Sequence, residues 1–307
     1  MSGRKWVRRS LRHLSFDLSK QGHHAGPNTV GRLLRKQNFS LKSNRKGQTG
    51  PPHPDRNLQF EHIQQQRASF AARGLPVLSV DAKKKELVGN FKNAGVAWSQ
   101  EPESVNTYDF IHDAKCRATP YAVYDTQRNR GTVAVGTSAD TAQFACDCLD
   151  HWWRKEGRCA YPEAKEMLIL GDGGGSNGHR SRLYKTSLQA FANKNNMAVT
   201  VCHYPTGASK WNPVEHRLLS QISINWAAQP LRTLDTMLHC IRGTMTQTGL
   251  RVKAWLNSKT YPTKMKVSNA HMKSLNLQRL PICPAWSYTI KPISNPAGPL
   301  TITKLRS

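Results

Sequence analysis

The stretch MLILGDGGGSNG, Met167–Gly178, runs four apolar residues into an acid and then into glycines, and a helix-like segment (SRLYKTSLQAFANKNN) follows. A short apolar run bounded by turn residues reads as a buried strand, and the strand–turn–helix order predicts an α/β fold. Gly173, Gly175 and Gly178 spell G-x-G-x-x-G, which raises the possibility of a cradle for a dinucleotide's phosphates. Such a cradle needs an Asp or Glu about 20 residues further on to hold the ribose hydroxyls. No Asp or Glu lies between Asp172 and Glu215, no G-K-[ST] completes a phosphate loop, and the strand sits deep in the chain behind a hairpin. The dinucleotide reading fails. Asp172 is left at the carboxyl edge of a sheet, where strands present groups to a crevice, on glycines that let the backbone turn sharply.

Outward from this strand, LPVLSV reads as a second buried strand and YAVYDTQRNRGTVAVG as a hairpin. TAQFACDCLDHWWRKEG reads as a helix, AVTVCHY as a strand and NPVEHRLLSQISINWA as a helix. A further helix (LRTLDTMLHCIRG) and strand (TGLRVKAWL) lead into a Pro-rich tail. The sum is a mixed sheet flanked by helices. The first fifty residues differ, with twelve Lys/Arg and one acid, Asp17. Val7, Leu11, Leu14 and Leu18 fall at helical spacing, Gln21 and Gly22 break it, and Pro27 opens a second helix with Val30, Leu33 and Leu34 on one face. Two short basic helices around a glycine turn fit a helix-turn-helix offering Asn28, Thr29, Arg32, Arg35 and Lys36 to a DNA groove; a helical hairpin with solvated charges fits the spacing equally well. The expected division is a DNA-binding region over 1–46, a linker and connecting helix over 47–74, a catalytic domain over 75–293 and a tail over 294–307.

Two more acids stand out. Glu215 sits in SKWNPVEHRLLS, where Asn212 suits an N-cap, Pro213 the first helical position and Glu215 the third, so a capping box explains it. Yet Leu218, Leu219, Ile222 and Trp226 place Glu215 on the apolar stripe, where a carboxylate needs a cation or a donor. Asp81 ends LPVLSV and precedes AKKKE; a turn or a lysine pair explains it as readily. Three acids at two strand ends and a helix start can converge, and such hard oxygen ligands suit Mg²⁺ or Mn²⁺. A pair of these ions activates an attacking hydroxyl and stabilises the leaving oxygen of a phosphoryl displacement.

The bulk numbers point the same way. The 307 residues carry 45 Lys/Arg against 19 Asp/Glu, a net charge of +26 that favours polyanionic partners. No run of about 20 apolar residues can span a bilayer, and no signal-peptide core opens the chain. Nucleic acid is the better partner. Seven cysteines without a C-x-x-C pair fit a reducing compartment, and Cys146-x-Cys148 has the wrong spacing for zinc.

VDAKKKELVGNFKNAG, YAVYDTQRNRGTVAVG, GDGGGSNG, CHYPTGASKWNPVEHRLLSQISINWAAQPL, TGLRVKAWL and TYPTKMKVS closely resemble the Rhodopirellula-type transposases, the ISAzo-thirteen group of insertion sequences, in continuous order from about Lys5 to Ile293. The resemblance implies an RNase H-like domain of the DDE class behind an N-terminal helix-turn-helix, with Asp81, Asp172 and Glu215 as the catalytic and metal-binding trio. It further implies Mg²⁺ (or Mn²⁺), two ions per site, and cleavage at element ends followed by transfer of the 3′-hydroxyl into target DNA. Terminal inverted repeats and target DNA are the expected partners, a homo-oligomer on DNA the expected assembly, and the nucleoid of a bacterial cytoplasm the expected location, with no membrane. Family members carry a longer N-terminal region, so the DNA-binding part is expected to be truncated, and FIHDAKCRATP is less regular than the family's segment. Two rival readings are a hydrolytic nuclease of the same fold and a non-catalytic DNA-binding remnant acting as a repressor.

Around the trio, Lys210 and Arg217 are expected at phosphates and Trp211 against an unpaired base, although anchoring the loop explains Trp211 as well. Lys83, Lys84 and Lys85 are phosphate candidates or a solvated face. Asp125 and Arg130 read as turn chemistry, Trp152 and Trp153 as packing, and His179, His203 and His216 as structural or DNA-facing.

Overall fold

The computed structural model describes residues 9–42 and 53–293. The chain divides into two compact units, Met1–Pro51 and Pro52–Ser307. Val7, most of the expected linker and the tail over 294–307 lie outside the described residues.

In the first unit, α1 (Leu11–Lys20) starts where Ser10 Oγ accepts the His13 amide at 3.2 Å. It stops at Gly22, whose positive φ of 82° lets the His23 amide reach Leu18 O at 2.9 Å. α2 (Pro27–Lys36) opens on Pro27 as its fixed φ favours. The helices approach closely at Gly31, where an added Cβ would stand 3.1 Å from Leu11 Cδ1. Val30 is buried, but Leu33, expected beside it, is 44% exposed: two ten-residue helices cover one narrow stripe, and Leu33 falls off its edge.

The second unit begins with α3 (Arg56–Ala72), which lies against the sheet through Ile63 and Phe70. Strands β1 (Val77–Ala82), β2 (Glu86–Val88), β3 (Cys116–Asp125), β4 (Arg130–Gly136), β5 (Glu166–Gly171) and β6 (Ala198–His203) follow, with β7 (Arg251–Asn257), β8 (Leu277–Arg279) and β9 (Ser287–Ile290) near the end. Among the described residues the sheet order is β7-β4-β3-β1-β5-β6-β9-β8, with β2 added to β3. β1, β3 and β4 form an antiparallel meander, while β5 and β6 continue parallel to β1. Helices on both faces complete a mixed α/β sheet, as expected.

Both faces are buried, which is why the central strands read as unbroken apolar runs. Leu78, Val80, Met167 and Ile169 face α4 (Ala142–Trp152) and α6 (Arg182–Asn195); α4 continues through a π turn at Trp153–Gly157 into α5 (Arg158–Ala160). Leu168 and Leu170 face α3. On that side of β3 and β4 sit Leu218, Ile222 and Trp226, from a π turn at Glu215–Leu219 and α7 (Ser220–Asn225), with α8 (Leu234–Arg242) beside them. The short α9 (Asn269–Lys273) precedes β8.

The structure extends the sequence reading in two places. FIHDAKCRATP contains a 3₁₀ turn at Ile111–Asp113, and its second half already belongs to β3; Pro120, which argues against a strand, hid that start. The Pro-rich tail adds β8 and β9 to the sheet next to β6.

Candidate active site

Asp81 is the fifth residue of β1 and Asp172 the first residue after β5. The two strands are parallel, pairing Val77 with Leu168 and Ser79 with Leu170. The same offset carried two positions further sets Asp172 beside Asp81, about one strand spacing (~4.8 Å) away. Side chains alternate along a strand, so Asp81 shares its face with Val77 and Ser79, the face on which the Glu215 segment lies.

Ser79 and Asn212 fix that segment. Both are fully buried. Ser79 Oγ donates to Asn212 Oδ1 and accepts the Val214 amide at 2.9 Å, while Asn212 Nδ2 donates to Val80 O at 3.3 Å. The Glu215 amide donates to Asn212 O at 3.1 Å. The capping-box expectation is therefore corrected at both ends. Asn212 turns its side chain to β1, the strand's own serine caps the helix start, and Glu215 lies close enough to Asp81 to raise its pKa. From the other side, Gly131 of β4 lets Leu218 sit directly on the strand, for a Cβ there would be 2.6 Å from Leu218 Cδ1.

The glycine turn after Asp172 is tied down. Gly174 N donates to Asp172 Oδ1 at 3.2 Å, and Gly175 takes the positive φ of 62°. Beneath it, Tyr121 Oη donates to Asn177 Oδ1 at 2.8 Å, His203 Nε2 to Asn177 O at 2.7 Å and His179 Nδ1 to Gly173 O at 3.0 Å. His203 is fully buried, and burial lowers its pKa to about 4. His179 and His203 are thus loop anchors, and His216 is exposed.

Electrostatics couples the three acids. Burial, the charge of Asp172, and a hydrogen bond and charge from Glu215 push Asp81 up to about 8, against the single Ala82 amide that favours its ionised form. Burial raises Asp172 also; Gly174 opposes this and the Glu215 charge adds to it. Among the described residues no group of three His, Cys, Asp or Glu is already arranged as a metal-ligand set. The donor chemistry nevertheless fits a hard cation: partly buried carboxyl oxygens that repel one another are relieved by a divalent ion or by a retained proton.

A fourth acid on this edge escaped the sequence reading. Asp140, beyond β4, has a buried Oδ1 without a hydrogen-bond partner among the described residues; burial raises its pKa, against a Ser176 hydrogen bond and the nearby Lys85 charge. TSADT resembles any surface turn, so nothing in its spacing marked it.

The other sequence candidates separate. Lys210 and Arg217 are exposed beside Glu215. Trp211 is 57% exposed, meets Phe60 edge-on at 5.9 Å and lies under Lys210 Nζ at 5.4 Å. Lys83 is occupied by Glu86 at 2.5 Å and by the Trp226 ring at 4.9 Å, whereas Lys84 and Lys85 are exposed. Asp125 accepts the Gln127 and Arg128 amides of the hairpin turn, and Trp152 and Trp153 are buried. In the first unit Asn28, Arg32, Arg35 and Lys36 are exposed and Thr29 is half-buried.

Residues 1–292 match the family described as the Rhodopirellula transposase DDE domain. The chain belongs to this family. Membership places it in the DDE transposase class. No curated protein matches the chain. Solved structures of Mos1 transposase are distantly similar. A paired-end complex with the left transposon end and a pre-cleavage transpososome each show 11% identity and a TM-score of 0.45, over 75% of this chain and 64% of that one. A strand transfer complex shows 13% identity and a TM-score of 0.44, over 77% and 70%. The chain spans less than two thirds of the length of the first two. Among the described residues no helix is long and apolar enough to cross a membrane.

Proposed function

We propose that this chain cuts the ends of an insertion sequence and joins them to target DNA. The observation that carries the reading is the convergence of Asp81, Asp172 and Glu215 at one sheet edge, set by the β1–β5 register and the Ser79–Asn212 brace, close enough that Asp172 and Glu215 both raise Asp81. These three residues would hold two Mg²⁺ (or Mn²⁺) ions, which when bound supply activation of the attacking hydroxyl and stabilisation of the leaving oxygen. The chain's own part is to fix the trio. β1 and β5 set the two aspartates abreast, the Ser79–Asn212 brace sets Glu215 against Asp81, and Asp81 releases its proton when cationic charge arrives.

In the first step water adds to the phosphorus at the element end and the bond to the 3′ oxygen breaks, leaving a 3′-hydroxyl. In the second that oxygen attacks a target phosphodiester and displaces the target's own 3′ oxygen, so one phosphodiester replaces another and no covalent protein intermediate forms. Lys210, Arg217 and Trp211 flank Glu215 and would contact the reacting strand. Asn28, Thr29, Arg32, Arg35 and Lys36 would read the terminal repeats, and two ends would be paired by a homo-oligomer.

The test is an assay of cleavage and joining on labelled DNA carrying the element's own ends. Free 3′-hydroxyl ends and joined product are expected with Mg²⁺, neither in chelator, and neither from Asp172→Asn, which still binds the DNA. Cutting without joining assigns a nuclease; binding without cutting assigns a non-catalytic remnant. Full activity of Asp172→Asn removes the trio from the mechanism.

A further inference from the structure

Past Asp81 the chain leaves β1 through Lys83–Lys85 and rejoins β3 as β2, pairing Leu87 with Arg117. Lys84 lies three positions beyond Asp81, at most about 11 Å of extended chain away. Beside this crossing lies an open groove of about 410 Å³. Lys84, Lys85, Lys92 and Arg117 line it, over a floor that includes Phe91 and Leu231. All four cations are exposed, and among the described residues none of them forms an ion pair. Of the two acids in the lining, Glu86 is taken by Lys83 and Asp109 remains. Lys85 is near enough to Asp140, beyond the end of β4, for its charge to lower that acid's pKa.

Four cations around an apolar floor repel one another until an anion enters, and the floor suits sugar and base rather than bare phosphate. The volume is that of an ordinary small-ligand cleft, about 300–1,000 Å³, and too small for a duplex. We propose that this groove takes an unpaired stretch of DNA strand next to the bond being cut, with its phosphates on Lys84, Lys85, Lys92 and Arg117 and a nucleotide against Phe91. The identity of the occupant rests on the proposed DNA chemistry; the binding itself does not require catalysis.

The test uses the full chain in metal-free buffer, with a short labelled single strand and a blunt duplex of the same sequence as probes. Lys92→Glu with Arg117→Glu reverses two charges in the groove. Lys155→Glu with Lys165→Glu makes the same change in net charge at exposed positions by the opposite sheet edge, where β5 begins. The groove pair is expected to weaken single-strand binding about tenfold and to flatten its log–log salt dependence by about 1.4, two contacts at ~0.7 each. Duplex affinity should fall less than about threefold, and the control pair should leave the single strand in place. Unchanged single-strand binding, equal losses for both probes, an equal loss from the control, or displacement of the strand by an acidic peptide as readily as by unlabelled DNA overturns the proposal. Lys84→Gln with Lys92→Gln, milder and at exposed sites, decides the matter if charge reversal unfolds the chain. A chain that binds single strand here but never cuts or joins DNA keeps the groove and loses the transposition reading; one that cuts and joins with no groove effect does the reverse.

Discussion

Burial raises the Asp81 carboxyl to about 8, and Asp172 and Glu215 push it the same way. An acid raised in the native state keeps its proton from about 4, where the unfolded chain loses it, up to its folded value. The folded state then binds more protons than the unfolded one, so metal-free stability is fullest at the acid end and falls as pH climbs through that window. Asp172, raised chiefly by burial, adds in the same direction. Denaturant unfolding in chelator at several pH values should show a smaller decline in Asp81→Asn, which should also be about 1–2 kcal/mol more stable than the parent at pH 8 while cutting no DNA. The difference between the two chains isolates Asp81 from the other titrating groups, and parallel pH profiles would contradict the coupling. Ser79→Ala leaves the Val214 amide and Asn212 Oδ1 without their partner, an expected loss of about 1–3 kcal/mol by the same measurement. Of these residues the sequence marked the three acids but not Ser79: its hydrogen bond joins positions 133 residues apart, and no local pattern announces a contact of that span.

Among the elements, β4 meets the π turn at Glu215–Leu219 where Gly131 lies under Leu218, a contact expected to steer Glu215. Gly131→Ala would put a methyl 2.6 Å from Leu218 Cδ1, so the buried Leu218 must shift on its π turn. The expected outcome is a loss of about 1–3 kcal/mol in stability and a larger proportional loss of DNA cleavage, with partial recovery of cleavage when Leu218→Ala supplies the room. Additive losses in the double variant would show that the contact does not steer Glu215. Most elements could be read from periodicity because the central strands are buried on both faces and the long helices carry apolar stripes. β2, β8 and β9 could not. Strands of three or four residues hold too few side chains to set a period, and β2 and β9 pair with β3 and β6 from distant chain while β8 pairs with β9.

At the level of the whole molecule, the net charge of +26 sets a long-range attraction for polyanions that no single site explains. If six or more phosphates are neutralised, duplex affinity should drop about 10³-fold or more between 50 and 200 mM salt, measurable by fluorescence anisotropy. Salt-insensitive binding would contradict a DNA partner. Charge and composition pointed to a polyanionic partner without any structure, while the groove at Lys92 and Arg117 was not legible, because those residues come from separate segments that only the fold aligns. The central claim, that Asp81, Asp172 and Glu215 form one divalent-ion site, is tested most directly by Mn²⁺ titration of the intact chain followed by electron paramagnetic resonance. The parent should take up two ions, and Asp81→Asn, Asp172→Asn and Glu215→Gln should each lose at least one. Three variants that bind Mn²⁺ as the parent does would contradict the account.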